Sequence, residues 1–137
     1  MRKLILTTAL VLLVGITFGQ TLQKGVILGV HQVTITLKPD VTMDQFLDVF
    51  KNKLIAETEK HMDGWKGFIV KGNKGEHVNE YGVVWYIESM KDYNKIYNND
   101  GSQTDEGKAV REKMQPVMDE LSKLGTWTRE YTDWLIQ

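Results

Sequence analysis

The stretch Val26-Ile-Leu-Gly-Val-His-Gln-Val-Thr-Ile-Thr-Leu37 decides how the rest of the chain is read. Ile27, Val33, Ile35 and Leu37 fall on one face of an extended segment, and Gln32, Thr34 and Thr36 fall on the other. This alternation, rich in β-branched residues, is the pattern of a half-buried strand over 26–37. Lys38-Pro39-Asp40 ends it, because proline has no N–H to donate to a ladder. Thr42 then stands three residues before Gln45, the spacing of a capping box, and predicts a helix start. Met43, Phe46, Leu47, Phe50, Leu54 and Ile55 recur at helical spacing, which gives that helix one apolar stripe. Asp63-Gly64 closes it.

Working outward, Trp65 to Lys71 reads as a second strand and Tyr81 to Glu88 as a third, joined by a polar loop around Gly72-Asn73-Lys74-Gly75. Ser89 can cap a short helix that runs to Tyr97, and Asn98-Asn99-Asp100-Gly101-Ser102 interrupts it. Thr104 caps a longer helix whose first turn carries Asp105 and Glu106, well placed for its positive end. Val110, Met114, Val117, Met118 and Leu121 form its buried stripe. Pro116 lies within that stripe, and a kink or local break is expected there. Gly125 is the expected C-terminal cap, and Thr126 to Ile136 the last strand.

The βαββαβ order puts two helices on one face of a four-stranded antiparallel sheet, a ferredoxin-like α+β fold. The other sheet face is left bare. Trp85, Tyr86, Trp127, Tyr131 and Trp134 cannot all point at two helices, so a bare aromatic face is expected. A second copy of the same sheet would cover it, giving a two-fold homodimer.

The N-terminus has a different grammar. Arg2 and Lys3 precede an apolar run from Leu4 to Gly15, and Thr17-Phe18-Gly19 offers small residues before a cut at Gln20. This predicts a signal peptide over residues 1–19 and a single domain over 20–137, exported to the periplasm or secreted. The apolar run is shorter than the roughly 20 residues a membrane span needs. Nothing after it is apolar enough to enter a bilayer. The competing reading is an uncleaved anchor.

The chain has no Cys, which excludes disulfides, thiolate metal sites and a Cys nucleophile. Stability must come from the core, from association, or from both. Without Arg2 and Lys3, 15 basic residues face 18 acidic ones, a net charge of −3. No basic stripe is present, which argues against a nucleic-acid partner. P-loop, dinucleotide-binding and Gly-x-Ser-x-Gly motifs are absent.

His31 is the leading candidate for chemistry, since an imidazole near neutrality suits general base work in an enclosed cavity. The bland alternative is a strand histidine satisfied by a neighbour. By alternation it shares a face with Val33, Ile35 and Leu37, so it falls either in the helix-covered core or in a cavity. His61, at the end of the first helix, and His77, in the hairpin loop beside Glu76, read as structural or surface residues. The spacing of the three histidines predicts no metal site. Trp65, Trp85, Tyr86, Trp127, Tyr131 and Trp134 are either core and interface or a flat apolar pocket, with Trp85 and Tyr86 the ligand-binding candidates. Asn98 to Glu106 has an acidic look but fails calcium-loop spacing, because Ile96 and Gly107 would fall at ligand positions.

The run His31-Gln-Val-Thr-Ile-Thr-Leu-Lys-Pro-Asp-Val-Thr-Met-Asp-Gln-Phe-Leu47 resembles the opening of the stress-responsive dimeric α+β barrel family. Tyr81 to Tyr97, including Glu88-Ser89, resembles the corresponding family segment in pattern. The wider superfamily pairs two ferredoxin-like subunits sheet to sheet. It includes antibiotic-biosynthesis monooxygenases, haem-degrading enzymes, polyketide-cyclase-like proteins and many members without a known activity. Fold analogy does not choose among these. In the stress-responsive and cyclase-like members a His-Pro-x-x-His motif near the second helix supplies chemistry. Here Tyr97 to Ser102 contains no His, so only His31 carries over.

The resulting expectation is an exported α+β barrel protein, homodimeric, that binds a small apolar or aromatic molecule without a cofactor. Any catalysis would resemble cofactor-independent monooxygenase or cyclase-like chemistry, with His31 aided by Tyr86. The alternative is a non-catalytic structural or interaction module of the cell envelope.

Overall fold

The computed structural model describes residues 22–137, and the export signal expected at residues 1–19 lies outside them. Strand β1 spans Ile27–Leu37. Helix α1 (43–61) starts as α-helix, widens to a π-helix over Phe50–Ile55 and returns to α-helix over Ala56–His61. Strands β2 (Trp65–Lys71) and β3 (Tyr81–Ile87) form the hairpin. Helices α2 (Met90–Ile96) and α3 (Asp105–Leu124) follow, and β4 (Gly125–Leu135) ends the chain.

The strands lie in the order β2-β3-β1-β4, every neighbouring pair antiparallel. With the helices inserted as they are, this is the ferredoxin-like fold. The capping box expected at Thr42 is formed in both directions, Gln45 N–H to the Thr42 hydroxyl and Thr42 N–H to the Gln45 side chain. Ser89 and Thr104 cap α2 and α3 through the N–H groups of Asp92 and Gly107. Each cap satisfies a donor that helix geometry orphans, worth about 1 kcal/mol.

One sheet face carries the core. Ile27, Val33, Val83, Trp85, Ile87 and Trp65 pack beneath Phe46, Phe50 and Ile55 of α1, Ile96 of α2 and Val110, Met114 and Leu121 of α3. Phe46, Ile87, Ile96 and Leu121 are fully buried. The opposite face is open, as expected, and Val30, Phe68, Val70 and Trp134 are exposed on it.

The register divides the aromatic set more sharply than alternation alone could. Trp85 stands opposite Gly29 and Gly67, and Tyr131 opposite His31. Trp85, Trp127 and Tyr131 therefore turn to the helix side. Tyr86, opposite Leu28 and Lys66, and Trp134, opposite Leu28, turn to the bare side. The bare face is less aromatic than the sequence suggested: Tyr86 and Trp134 share it with Phe68, with the aliphatic Leu28, Val30, Val70 and Val84, and with polar residues such as Gln32, Thr34, Thr128 and Thr132.

Helix α3 does not break at Pro116. The carbonyl four residues back, on Glu112, loses its N–H partner, but Glu112 and Pro116 both lie on the exposed side of the helix. Water can serve that carbonyl, which removes the main penalty for interrupting the ladder. Gly125 does follow the helix as its cap, with extended backbone at φ 178°. Glycine is needed there for space, since a Cβ would stand 2.6 Å from the Thr36 carbonyl oxygen.

Candidate functional site

A cavity of about 450 Å³ lies between the sheet and the helices. That is within the usual range for small-molecule sites, about 300–1,000 Å³. The π-helical part of α1 contributes Phe50 and Leu54, and α3 contributes Val110 and Met114. Widened turns of this kind add a residue to the helix and shift the facing of every later side chain. Thr58, one turn on, spends its hydroxyl on the Leu54 carbonyl at 2.7 Å, so it presents its methyl group inward without an orphaned polar atom.

The walls are largely aromatic. Trp65 and Tyr93 stack at 6.2 Å with 14° between their planes, Trp65 meets Trp85 edge to face at 6.0 Å, and Tyr93 lies 5.4 Å from Tyr97. Phe50 meets Trp127 edge to face at 6.2 Å. Each such pair contributes about 0.5–1.5 kcal/mol beyond its buried area, so the wall is held rigid before any ligand arrives. Among the described residues, the buried indole N–H of Trp65 has no hydrogen-bond acceptor.

An imidazole, a carboxylate and a phenol meet at one part of this wall. His31 points from the centre of β1 and is 9% exposed. Its Nε2 stands 3.7 Å from Asp133 Oδ1, an ion-pair rather than a hydrogen-bond distance. The Tyr93 hydroxyl donates to the other carboxylate oxygen, Oδ2, at 2.9 Å. Tyr131, the register partner of His31, lays its ring 5.0 Å from the imidazole. Gly29, opposite Asp133 in the β1–β4 register, makes room for the meeting. A Cβ there would lie 2.8 Å from Asp133 Oδ1 and 3.2 Å from His31 Nε2.

Burial lowers the His31 pKa from its usual value, and the positive charge of Arg129 lowers it further, against the opposing pull of Asp133. The imidazole is therefore neutral at pH 7 and able to accept a proton. Burial and then Asp133 raise the Tyr93 phenol well above the usual tyrosine range. Burial also raises Tyr97. Both phenols stay protonated, so each keeps an O–H, and that of Tyr93 is donated to Asp133. A proton taken by His31 would face the Asp133 carboxylate, which stabilises the resulting cation.

Of the three side chains proposed from sequence, His31 and Trp85 line the cavity. Tyr86 does not reach it, because its register position turns it to the bare sheet face. The two locations open to His31 from sequence prove to be one, since the cavity is a part of the helix-covered side that the core leaves unfilled. His61 pairs with Glu57 at 3.2 Å, and His77 with Glu80 at 3.0 Å, both away from His31. Among the described residues no group of three His, Cys, Asp or Glu side chains is placed to hold a metal. The Asp100 carboxylate accepts from the Ser102 N–H and hydroxyl at 2.9 and 2.6 Å, as a polar loop does.

Asp133, Tyr93 and Tyr97 were missed from sequence. Only Asp133 left a trace. It is the one acidic residue at an odd position of β4, on the same face as Trp127 and Tyr131, which is informative only once the strand is known to pair with β1.

No family model and no curated protein matches the sequence. One solved structure that resembles it is a dimeric protein of unknown function with a ferredoxin-like fold from Bacteroides fragilis NCTC 9343. The two are 13% identical, over 82% of this chain and 98% of that one, with a TM-score of 0.43. The ferredoxin-like assignment here stands on this chain's own strand order and helix placement. Among the described residues no helix is long and apolar enough to cross a membrane.

Proposed function

We propose that the protein binds a small, largely aromatic molecule in the cavity between sheet and helices, and that His31 acts on it as a base. The observation that carries this reading is the meeting of a neutral imidazole, a carboxylate and a phenol at the aromatic wall of the cavity. Structural histidines in strands are common. Few of them combine cavity access, a carboxylate within ion-pair distance and a depressed pKa.

The reaction step these residues support is abstraction of a proton from an acidified aromatic hydroxyl or C–H. The proton goes to His31; Asp133, held by the Tyr93 hydroxyl, offsets the charge; and Tyr97 donates to the developing oxyanion. This is in keeping with cofactor-independent monooxygenase or cyclase-like chemistry. The test follows hydrogen–deuterium exchange into a weakly acidic hydroxyaromatic compound in D₂O. The native protein should accelerate exchange and His31→Gln should bind the compound without accelerating it. Equal rates for the two proteins would reduce His31 to a binding residue.

A second reading is supported by the open sheet face. Phe68 and Trp134 are 54% and 60% exposed there, beside Val30 and Val70. Two copies paired through these faces would form a homodimer without disturbing the cavity. Phe68→Glu should then convert a sedimenting dimer to a monomer. Native protein that sediments as a monomer at micromolar concentration would remove the idea. Export to the periplasm or beyond, and with it a role in the cell envelope, is supported by the grammar of residues 1–19. N-terminal sequencing of the mature protein tests it, with Gln20 the expected first residue.

A further inference from the structure

The described chain is acidic, with 15 basic and 18 acidic residues, yet the cavity lining is not. Arg111 and Arg129 are the only arginines among the described residues, and both line the cavity. No lysine does. Asp133 is the one carboxylate in the lining, so with a neutral His31 the lining carries a net charge of +1.

The two guanidinium groups come from different walls. Arg111 projects from α3, beside Gln115, and Arg129 from β4, two residues before Tyr131. These side chains are exposed, as is Tyr131, so the cavity opens to solvent between α3 and β4. Among the described residues neither arginine forms an ion pair or a side-chain hydrogen bond, whereas Lys53, Lys60, Lys66, Lys95 and Lys108 each meet a carboxylate. Arg129 does stack on the Tyr131 ring, its guanidinium carbon 5.3 Å from the ring centre. Stacking uses the face of the guanidinium and leaves its edge donors free for an anion.

The opposite charge is set apart. Asp133 lies four residues from Arg129 along β4, roughly 13 Å of extended chain. Its carboxylate already accepts from Tyr93 and faces His31. An anion entering the mouth is therefore drawn towards the arginines and repelled from the far end. The aromatic rings between them take an apolar body.

We infer that the natural ligand is a monoanion, an apolar or aromatic body carrying one carboxylate, held at the mouth by Arg111 and Arg129 while its other end reaches His31. This rests on the cavity being a ligand site, as proposed above, and adds the charge and polarity of what fills it. One negative charge balances the lining; a phosphate dianion would exceed it. Guanidinium forks match the two oxygens of a carboxylate.

Titration calorimetry with 2-naphthoate and its uncharged counterpart 2-naphthamide tests the inference, with tryptophan indole N–H resonances reporting location. Trp65, Trp85 and Trp127 line the cavity and Trp134 sits on the bare face. Naphthoate should bind about tenfold or more tightly than the amide, and the preference should shrink with added salt. In the double variant Arg111→Gln, Arg129→Gln the two affinities should converge on that of the amide. Both side chains are exposed, so the variant should keep the native indole spectrum. Equal binding of acid and amide to the native protein, or a preference that survives in the double variant, overturns the anion inference and leaves the cavity reading standing. Failure of both compounds to bind, or indole shifts confined to Trp134, overturns the two together.

Discussion

Gly67→Ala should destabilise the protein even though it adds one methyl group to a strand, a place where alanine is ordinarily the better residue. Gly67 sits on the cavity side of β2, opposite Trp85. A Cβ there would stand 2.6 Å from Trp85 Cζ3, 3.1 Å from its Cε3 and 2.8 Å from Ile55 Cγ2. Neither neighbour can yield easily. Trp85 is braced edge to face by Trp65, and Ile55 is buried in the core. Overpacking of this kind costs about 1–3 kcal/mol. The narrower freedom of the unfolded chain returns about 0.4–1 kcal/mol. The net expectation is a loss of about 1–2 kcal/mol. With a urea slope near 2 kcal/mol per molar, the unfolding midpoint falls by roughly 0.5–1 M while the slope is unchanged. In a Trp85→Leu background most of the clashing atoms are gone, so the same substitution should cost distinctly less. The reasoning is refuted if Gly67→Ala raises the midpoint, or if its cost is identical with and without the indole. Either result would mean that Trp85 does not lie across Gly67, and that the aromatic wall of the cavity is misplaced.

Three further outcomes are expected. Asp133→Asn keeps an acceptor for Tyr93 but removes the charge that raises the His31 pKa, so His31 should titrate at lower pH than in the native protein; an unchanged or raised imidazole Cε1–H titration by NMR would mean the pair is not formed. The lowered His31 pKa means that the unfolded chain, whose imidazole titrates near 6.5, binds more protons than the folded one just below that pH. Stability should therefore fall as pH drops through about 6.5, and urea unfolding should show a larger loss between pH 7.5 and 5.5 for the native protein than for His31→Gln. Equal losses would mean that His31 does not carry the pH dependence. Finally, Leu121→Ala empties a fully buried site under α3 and should cost about 2–5 kcal/mol, whereas Leu135→Ala, 44% exposed, should cost under about 0.5 kcal/mol by the same assay.

The order of elements was legible because each boundary carries its own local chemistry. Thr42, Ser89 and Thr104 offer side-chain acceptors to the first free N–H groups of their helices, and such caps need no knowledge of the rest of the fold. The widening of α1 at Phe50–Ile55 left no such mark. Its apolar stripe fits an ordinary helix as well as a π-helical one. The extra residue matters only to the surface α1 packs against, which here is the Trp85 side of the sheet. The continuity of α3 through Pro116 was illegible for a related reason. The cost of proline depends on whether water reaches the carbonyl it strands, and that is decided by which side of the helix faces out.

The site shows where reading one strand at a time fails. Alternation placed His31 correctly beside Val33 on the buried face, and this looked like evidence for a packing role. The inference treats the helix side of the sheet as uniformly filled. Two glycines undo it. Gly29 removes a side chain between His31 and Asp133, and Gly67 lets the Trp85 ring lie across β2. Asp133, 102 positions after His31, comes into reach only through the β1–β4 register that sets Gly29 opposite it. A half-buried strand pattern with glycine two residues before its histidine is thus ambiguous in a specific way. It describes a packed face or a hollow one according to what the pairing strand brings to the gap. Here the edge strand brings a carboxylate, an aromatic ring and a guanidinium, so the same alternation that suggested a core histidine places it at the wall of a cavity.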